Sequence, residues 1–239
     1  MCAFAGLSTG IGSVISLFAK KTNKKFLSFA LSFSAGVMLF ASLGEIMTKS
    51  LISFCTVCSE KRAYFYSCLS FIIGMILIFI LEKALPENND SLNRTGVYTA
   101  FAMAIHNFPE GLATFVSALK NPVLAIPITV AIAIHNIPEG IAVSVPIYFS
   151  TGNKKKAFFI SFLSGLAEPL GALAGYILLR KMLNDFVFGI LFGSVAGIMT
   201  FISLTELIPS SKQEKENDKS VSGIITGMGV MALSLYLFK

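Results

Sequence analysis

The chain has 239 residues, of which 54% are hydrophobic and only 13% are charged, with a mean hydropathy of +0.76. Roughly a quarter of the residues in a soluble domain are charged, so this composition excludes a soluble fold and indicates an integral membrane protein in contact with lipid. The net charge of +6 does not indicate a nucleic-acid partner, because the basic residues lie in short loops between apolar runs, where they orient a membrane protein.

Apolar runs of about 20 residues, enough to cross a bilayer once, predict an all-α membrane protein with eight transmembrane helices. The run from Met1 is predicted to be a first span rather than a cleaved signal, because no basic segment precedes it. The predicted spans cover 1–19, 27–48, 65–85, 97–118, 123–149, 157–179, 187–209 and 221–238. We treat 1–239 as one transmembrane domain, with 86–95 and 212–219 as solvated loops.

The loops between the predicted spans carry basic residues unevenly. Numbered in chain order, the odd loops contain twelve Lys and Arg residues and the even loops, which include Lys49, contain six. Because Lys and Arg mark the cytoplasmic side, we predict that the odd loops face the cytoplasm and that both termini lie outside.

Two internal repeats predict a symmetric architecture. AIHNFPEGLA at 104–113 recurs as AIHNIPEGIA at 133–142, and these two copies contain both histidines of the chain. A second echo relates AGVMLFASLGEI at 35–46 to AGIMTFISLTEL at 196–207. Spans four and five run in opposite directions, as do spans two and seven, so both pairs fit the inverted repeats of transporters, whose sites lie near the bilayer midplane.

Each copy of the histidine phrase places a histidine four residues before a glutamate. His106 therefore lies over Glu110, and His135 over Glu139, on one face of its helix. Both histidines lie roughly 20 Å from the turn at 121–122, at 1.5 Å per residue, and are predicted to be level. Two nitrogens and two carboxylate oxygens suit zinc, and ionisable groups at this depth are costly enough to indicate function.

Two asparagines and a further glutamate extend this pattern. Asn107 and Asn136 each lie three residues before a glutamate, so each glutamate can serve two adjacent ligand sets and bridge two ions. Glu168, in the middle of span six, is predicted to join the oxygen-rich set, or alternatively to be a protonated carboxyl bonded between helices. Such a set suits harder ions such as iron(II) or manganese, and ligand chemistry alone leaves the metal open.

Prolines and glycines in these spans predict local geometry. Pro109 and Pro138 are predicted to kink their helices, because proline lacks a donor and presses on the carbonyl four residues earlier. The alternative interpretation of the region is two kinked helices whose polar groups only bond each other across an interface. Glycines four residues apart are predicted to be helix-packing surfaces, and they lie at Gly171 and Gly175, at Gly189, Gly193 and Gly197, and at Gly223 and Gly227.

Four more residues carry weaker signals. Glu45 and Glu206 occupy equivalent positions near the ends of spans two and seven, where they are predicted either to attract cations at the two mouths or to be interfacial carboxylates that reach water. Cys55 and Cys58 form a CxxC pair in a predicted outer loop. The pair is interpreted as incidental, with zinc capture or a disulfide as the alternative.

The phrases HNFPEG and HNIPEG, with GLAEPLG at 165–171 and SAGVMLFASLGEI at 34–46, resemble the Zrt/Irt-like (ZIP) divalent-metal transporters, and most closely their bacterial zinc-uptake branch. The resemblance implies eight spans, outer termini, dimers in at least some members, and alternating access. It implies a first metal position at His106, Glu110, His135 and Glu139, and a second at Asn107, Glu110, Asn136, Glu139 and Glu168. The histidine-rich loop that many relatives carry between spans three and four is not found here.

We therefore predict a non-enzymatic secondary transporter that carries zinc inward across the cytoplasmic membrane. Iron(II), manganese, cobalt and cadmium are further candidate substrates, and the metal is cargo rather than a cofactor. One alternative is a zinc-binding membrane receptor or structural protein. Another is an intramembrane metallohydrolase, although the HExxH motif of zincins places both histidines on one helix, whereas here each predicted helix carries one.

Overall fold

The computed structural model describes residues 1–84, 91–120, 122–179, 184–212 and 217–237, which form eight helical rods with no strand among them. The α-helices are α1 Cys2–Phe18, α2 Lys24–Phe40, α3 Met47–Cys55, α4 Glu60–Ala84, α5 Ser91–Lys120, α6 Pro122–Thr151, α7 Lys154–Gly165, α8 Ala167–Ala174, α9 Asp185–Ile202, α10 Ile208–Lys212 and α11 Asn217–Leu237. Three π-helical segments continue these rods: Ala41–Ile46 joins α2 to α3, Gly175–Leu179 follows α8, and Ser203–Leu207 joins α9 to α10.

Several rods have the length and composition of membrane spans. Within the described ranges, five helices are long and apolar enough to cross a bilayer, and Cys2–Ile15 is a shorter apolar helix. The five are Lys24–Cys55, Glu60–Ala84, Lys154–Ile177, Asp185–Lys212 and Asp218–Leu237. The prediction of an all-helical membrane protein is confirmed at this level.

The helices extend beyond the predicted apolar runs, and two loop predictions are wrong where residues are described. Residues 91–95 are the first turn of α5, and 217–219 begin α11. Lys49, counted as a loop residue, lies within α3. The reason is physical: hydropathy marks only the lipid-facing length, whereas a helix continues into water while its backbone hydrogen bonds are satisfied. The rest of these loops, 86–90 and 213–216, lies outside the described residues.

Asparagine caps fix where three helices begin. The side-chain oxygens of Asn23, Asn153 and Asn184 accept hydrogen bonds from backbone amides three residues later, at 2.9–3.0 Å. Each cap satisfies an amide that has no partner inside its helix. Between α6 and α7, Gly152 has a φ of 70°, a left-handed conformation that glycine adopts without steric cost.

The helices pack as two bundles. In the first bundle α1 packs on α6 and α7, and α5 packs on α6 and α8; in the second, α2 packs on α11, and α4 on α9. The bundles meet where α2 contacts α6 and where α5 contacts α9. All residues of the histidine phrase, and Glu168, belong to the first bundle.

Glycines allow backbones to touch in both bundles, as predicted. In the second bundle a Cβ added to Gly197 would collide with the carbonyl of Phe71, and one added to Gly227 would collide with the carbonyl of Phe33. The remaining predicted glycines also lie against neighbouring helices: Gly171, Gly175, Gly189, Gly193 and Gly223. Close approach of this kind drives helix association in lipid, where no hydrophobic force acts between helices.

Two glycines on α11 provide a matched pair for testing this packing. We expect Gly227→Ala to lower the thermal unfolding temperature of the detergent-purified protein, because its methyl group must displace the Phe33 backbone at a cost of about 1–3 kcal/mol. Gly229 has no atom within 4 Å of an added Cβ. Gly229→Ala should therefore be neutral or slightly stabilising through helix propensity. Equal unfolding temperatures for the two variants would contradict this packing.

Candidate metal centre

Two neighbouring helices bring the predicted first ligand set together. α5 carries His106 and Glu110, and α6 carries His135 and Glu139. Both helices continue through the prolines of the phrase, while the predicted kink angles stay a prediction. The two imidazole ring centroids are 6.5 Å apart, so the two histidines lie side by side.

The four side chains approach one another closely. His135 Nε2 lies 3.0 Å from Glu110 Oε1, and His106 Nε2 lies 3.1 Å from Glu139 Oε1 and 3.3 Å from Glu110 Oε2. Ligands about 2.0–2.1 Å from a tetrahedral zinc ion are roughly 3.3 Å apart. Three of these pairs are observed at 3.0–3.3 Å, close to that edge length, and single ligand atoms of His106, His135 and Glu139 all lie within 4.8 Å of one another.

Hydrogen bonding does not account for all of these contacts. His106 Nε2, Glu110 Oε2 and both carboxylate oxygens of Glu139 have no hydrogen-bond partner. The contacts at His106 are close in distance but lack hydrogen-bond geometry. His106, Glu139 and His135 are 0–2% exposed. Because buried polar groups without partners are costly, these unpaired lone pairs are suited to bind a cation.

The asparagines and Glu168 form an adjoining group. Asn136 Nδ2 donates to Glu168 Oε2 at 3.0 Å and to the carbonyl of Ala5, also at 3.0 Å. Asn107 Nδ2 donates to the carbonyl of Ser164 at 3.2 Å. These bonds leave three oxygens of the group without partners, namely Asn107 Oδ1, Asn136 Oδ1 and Glu168 Oε1.

Backbone contact places Glu168 beside α5. The helix is interrupted at Leu166, and Glu168 lies fully buried in the first turn of α8. The carbonyl of Glu168 packs against Gly111, where any Cβ would collide. Glycine at this point therefore sets the distance between Glu168 and the histidine phrase. The sequence predicted the proximity, and the structure shows the contact that produces it.

A cavity of about 230 Å³ leads away from the centre. Its walls include His106 and Glu110 of the centre and Lys49 and Ser53 of the second rod. Glu110, 9% exposed, is the least buried of the four predicted first-position ligands. The cavity therefore connects the cluster with the C-terminal part of the second rod.

The two predicted mouth carboxylates lie inside rods rather than at their ends. Glu45 is in the π segment Ala41–Ile46, where its Oε1 pairs with Lys49 Nζ at 2.6 Å and its Oε2 has no partner. Glu206 is in the equivalent segment Ser203–Leu207, and its Oε2 accepts from Thr95 at 2.8 Å. The predicted apolar span ends before Lys49 and so places this residue in a loop, where it is not indicated as a partner. Its spacing of four residues from Glu45 is nevertheless a usable signal.

The CxxC pair is not part of the centre. Cys55 and Cys58 are free thiols, and Cys58 donates to the carbonyl of Phe54 at 3.1 Å. This is consistent with an incidental pair.

Comparison with known proteins identifies the family. Residues 87–235 match the family model described as ZIP Zinc transporter. The chain belongs to the ZIP family. A protein named Zinc transporter ZupT from Clostridium perfringens strain 13 is 50% identical to this chain, and the alignment covers 98% of this chain and 93% of that protein. The protein of the same name from Streptococcus mutans serotype c is also 50% identical, over 100% of this chain and 96% of that protein. The Zinc transporter ZupT of Lysinibacillus sphaericus is 49% identical, over 98% of this chain and 94% of that protein.

Membership of the ZIP family settles the broad class of the protein. The chain is a multi-pass membrane protein of a transporter family, in the ZupT branch. It is not an enzyme, so the interpretation as an intramembrane metallohydrolase is wrong. The assignment of individual ligands stays a prediction that rests on the geometry above.

Protons and metal should compete at this ZIP centre. Zinc binds neutral imidazole and ionised carboxylate, so binding releases any protons held by these lone pairs. We expect zinc affinity, measured by titration of detergent-purified protein, to fall as pH is lowered from 7.5 to about 5.5. His135→Ala should bind weakly at both pH values, and Thr205→Ala, an exposed change, should behave like the wild type. Affinity that does not change with pH would contradict the ligand set.

Proposed function

We propose that this ZIP protein is a secondary transporter that imports zinc across the cytoplasmic membrane through a buried two-position metal centre. The observation that carries the proposal is the approach of two imidazoles and two carboxylates to 3.0–3.3 Å within an apolar bundle, with several lone pairs unpaired. The name of the ZupT relatives, zinc transporter, supports zinc as the substrate.

The first position consists of His106, Glu110, His135 and Glu139. Two ionised carboxylates and two neutral imidazoles give a charge of −2, which balances one zinc ion. Charge balance matters because an uncompensated ion is strongly destabilised in a low-dielectric interior. The cluster therefore exchanges the hydration shell of zinc for protein ligands without leaving net charge in the bilayer.

The second position adds the oxygen-rich side of the centre. Asn107, Asn136 and Glu168 contribute oxygens that have no partner, and Glu110 and Glu139 would bridge the two positions. Oxygen donors favour harder divalent ions. Iron(II) and manganese, with cobalt and cadmium, are therefore the further substrates that the centre would admit.

We further propose eight spans in one domain, 1–239, with inverted repeats and both termini outside. Equivalent contacts support the symmetry. Gly36 and Gly197 occupy the same place in the repeats at 35–46 and 196–207, and each packs on a carbonyl of a neighbouring helix, that of Ile224 and that of Phe71, respectively. The excess of basic residues in the odd loops supports the orientation. In that orientation the cavity between His106 and Ser53 opens outward.

Transport follows by movement between the two bundles. The first bundle carries all of the proposed ligands, and the second carries the mouth carboxylates Glu45 and Glu206. Rocking of one bundle against the other would close the outer cavity and open an inner path, as alternating access requires. A homodimer formed through the outer helix faces is also proposed, on the resemblance to ZIP proteins that dimerise.

Flux through proteoliposomes tests transport directly. We expect wild-type protein to accumulate radiolabelled zinc well beyond its own molar amount, whereas a receptor or structural protein would saturate at its binding stoichiometry. His135→Ala removes a nitrogen ligand and should reduce zinc flux by about tenfold or more. Asn136→Ala should reduce iron(II) and manganese flux more than zinc flux. Undiminished flux with alanine at both histidines would overturn the proposal.

Glu45 provides a separate test of the outer cavity. Its carboxylate pairs with Lys49 Nζ at 2.6 Å, and Lys49 lines the cavity that reaches His106. We expect Glu45→Gln to reduce uptake more at low zinc than at saturating zinc, because it removes charge that attracts the ion before binding. Glu60→Gln, an exposed change at the start of α4, serves as the control. Equal losses at both zinc concentrations would contradict a capture role.

A further inference from the structure

The first bundle has internal two-fold symmetry at the level of single contacts. The carbonyl of Ile137 packs on Gly12, and that of Phe108 packs on Gly171. Phe108 and Ile137 occupy the same place in the two histidine phrases, so Gly12 of α1 corresponds to Gly171 of α8. The relationship exchanges α5 with α6, and α1 with the α7–α8 rod.

The same register continues toward the metal centre. Asn136 donates to the carbonyl of Ala5, and Asn107 donates to that of Ser164. Gly6 and Gly165 lie against each other's carbonyls. The segment GLSTGIG at 6–12 therefore aligns without gaps on GLAEPLG at 165–171. In this alignment Thr9 stands in the place of Glu168.

Backbone contacts confirm this correspondence. The carbonyl of Glu168 packs on Gly111, and the carbonyl of Thr9 packs on Gly140. These two glycines end the two copies of HNxPEG. Thr9 therefore has the same relationship to α6 that Glu168 has to α5.

The Thr9 side chain offers a buried oxygen that could bind a cation. Thr9 is fully buried and its Oγ1 has no hydrogen-bond partner. A Cβ on Gly165 would lie 3.0 Å from that oxygen, so Thr9 faces the turn that also receives the amide of Asn107. Asn107 Oδ1 is unpaired as well. Two unpaired oxygens thus lie beside one turn of α7, opposite the Asn136–Glu168 pair.

We propose that the Thr9 hydroxyl is a neutral oxygen donor to the second metal position, on the side of Asn107. The proposal rests on the two-position centre described above. It assigns to the second position a carboxylate on one side and a hydroxyl on the other. Thr9 thereby determines the affinity of that position.

Charge explains why a hydroxyl matters here. Two divalent ions carry +4, whereas Glu110, Glu139 and Glu168 together carry −3. A carboxylate at position 9 would complete the balance and hold the second ion tightly. With a hydroxyl, the second ion remains one charge short of compensation, so it binds more weakly than the first and exchanges readily.

Zinc titration calorimetry of the full-length protein in detergent, with metal content measured independently, separates the two positions. We expect the wild type to bind one equivalent tightly and a second more weakly. Thr9→Val keeps the shape but removes the oxygen, and should weaken the second equivalent by about tenfold while leaving the first unchanged. Thr9→Ser should retain it, and Thr9→Asp should tighten it by about tenfold or more.

Thr99→Val is the matched control. Thr99 is also a fully buried threonine whose Oγ1 has no partner, but it lies on α5 about 10 Å before His106 along the helix axis. A second equivalent that is absent from the wild type, or unchanged in both Thr9→Val and Thr9→Asp, would overturn the proposal. If the wild type bound no zinc tightly even at the first position, the proposed transporter centre itself would be contradicted.

Discussion

The need to keep charge balanced inside an apolar bundle governs this structure. Glu110, Glu139 and Glu168 are at most 9% exposed, and a buried carboxylate must be compensated by a cation, a proton or a hydrogen-bond donor. A centre of this composition is therefore stabilised by positive charge. The same requirement that would make these residues a defect in a structural helix makes them suited to bind and release a metal ion.

Close backbone contact makes the centre possible. Gly111 and Gly140 bring α5 and α6 against the carbonyls of Glu168 and Thr9, and no side chain could occupy either gap. This close approach positions Glu168 and Thr9 beside the histidine phrases. The glycines at the ends of the HNxPEG phrases are therefore as necessary to the geometry as the histidines, although they bind nothing.

Much of the centre could be predicted because helical spacing is local. The four-residue spacing of His106 and Glu110, and the equal depth of both histidines, follow from helix geometry alone. The bond between Asn136 and Glu168 depends on how distant helices pack, so sequence reasoning could name Glu168 only as a candidate ligand. Sequence reasoning did not identify Thr9 because its counterpart in the repeat, Glu168, is a different residue type. The equivalence of the two positions is visible only from the backbone contacts. Lys49 escaped because apolar runs mark where lipid ends, not where helices end.

The π segments at Ala41–Ile46 and Ser203–Leu207 have a consequence for the shape of the permeation path. A π turn accommodates one additional residue, and one residue corresponds to about 100° of rotation around a helix axis. Side chains after each segment are thus rotated around the helix axis relative to those before it. The residues that continue one face of α2 therefore do not continue it in α3, and the same holds for α9 and α10. Glu45 and Glu206 lie in these two segments, one in each half of the molecule, so each carboxylate is placed where its helix changes phase.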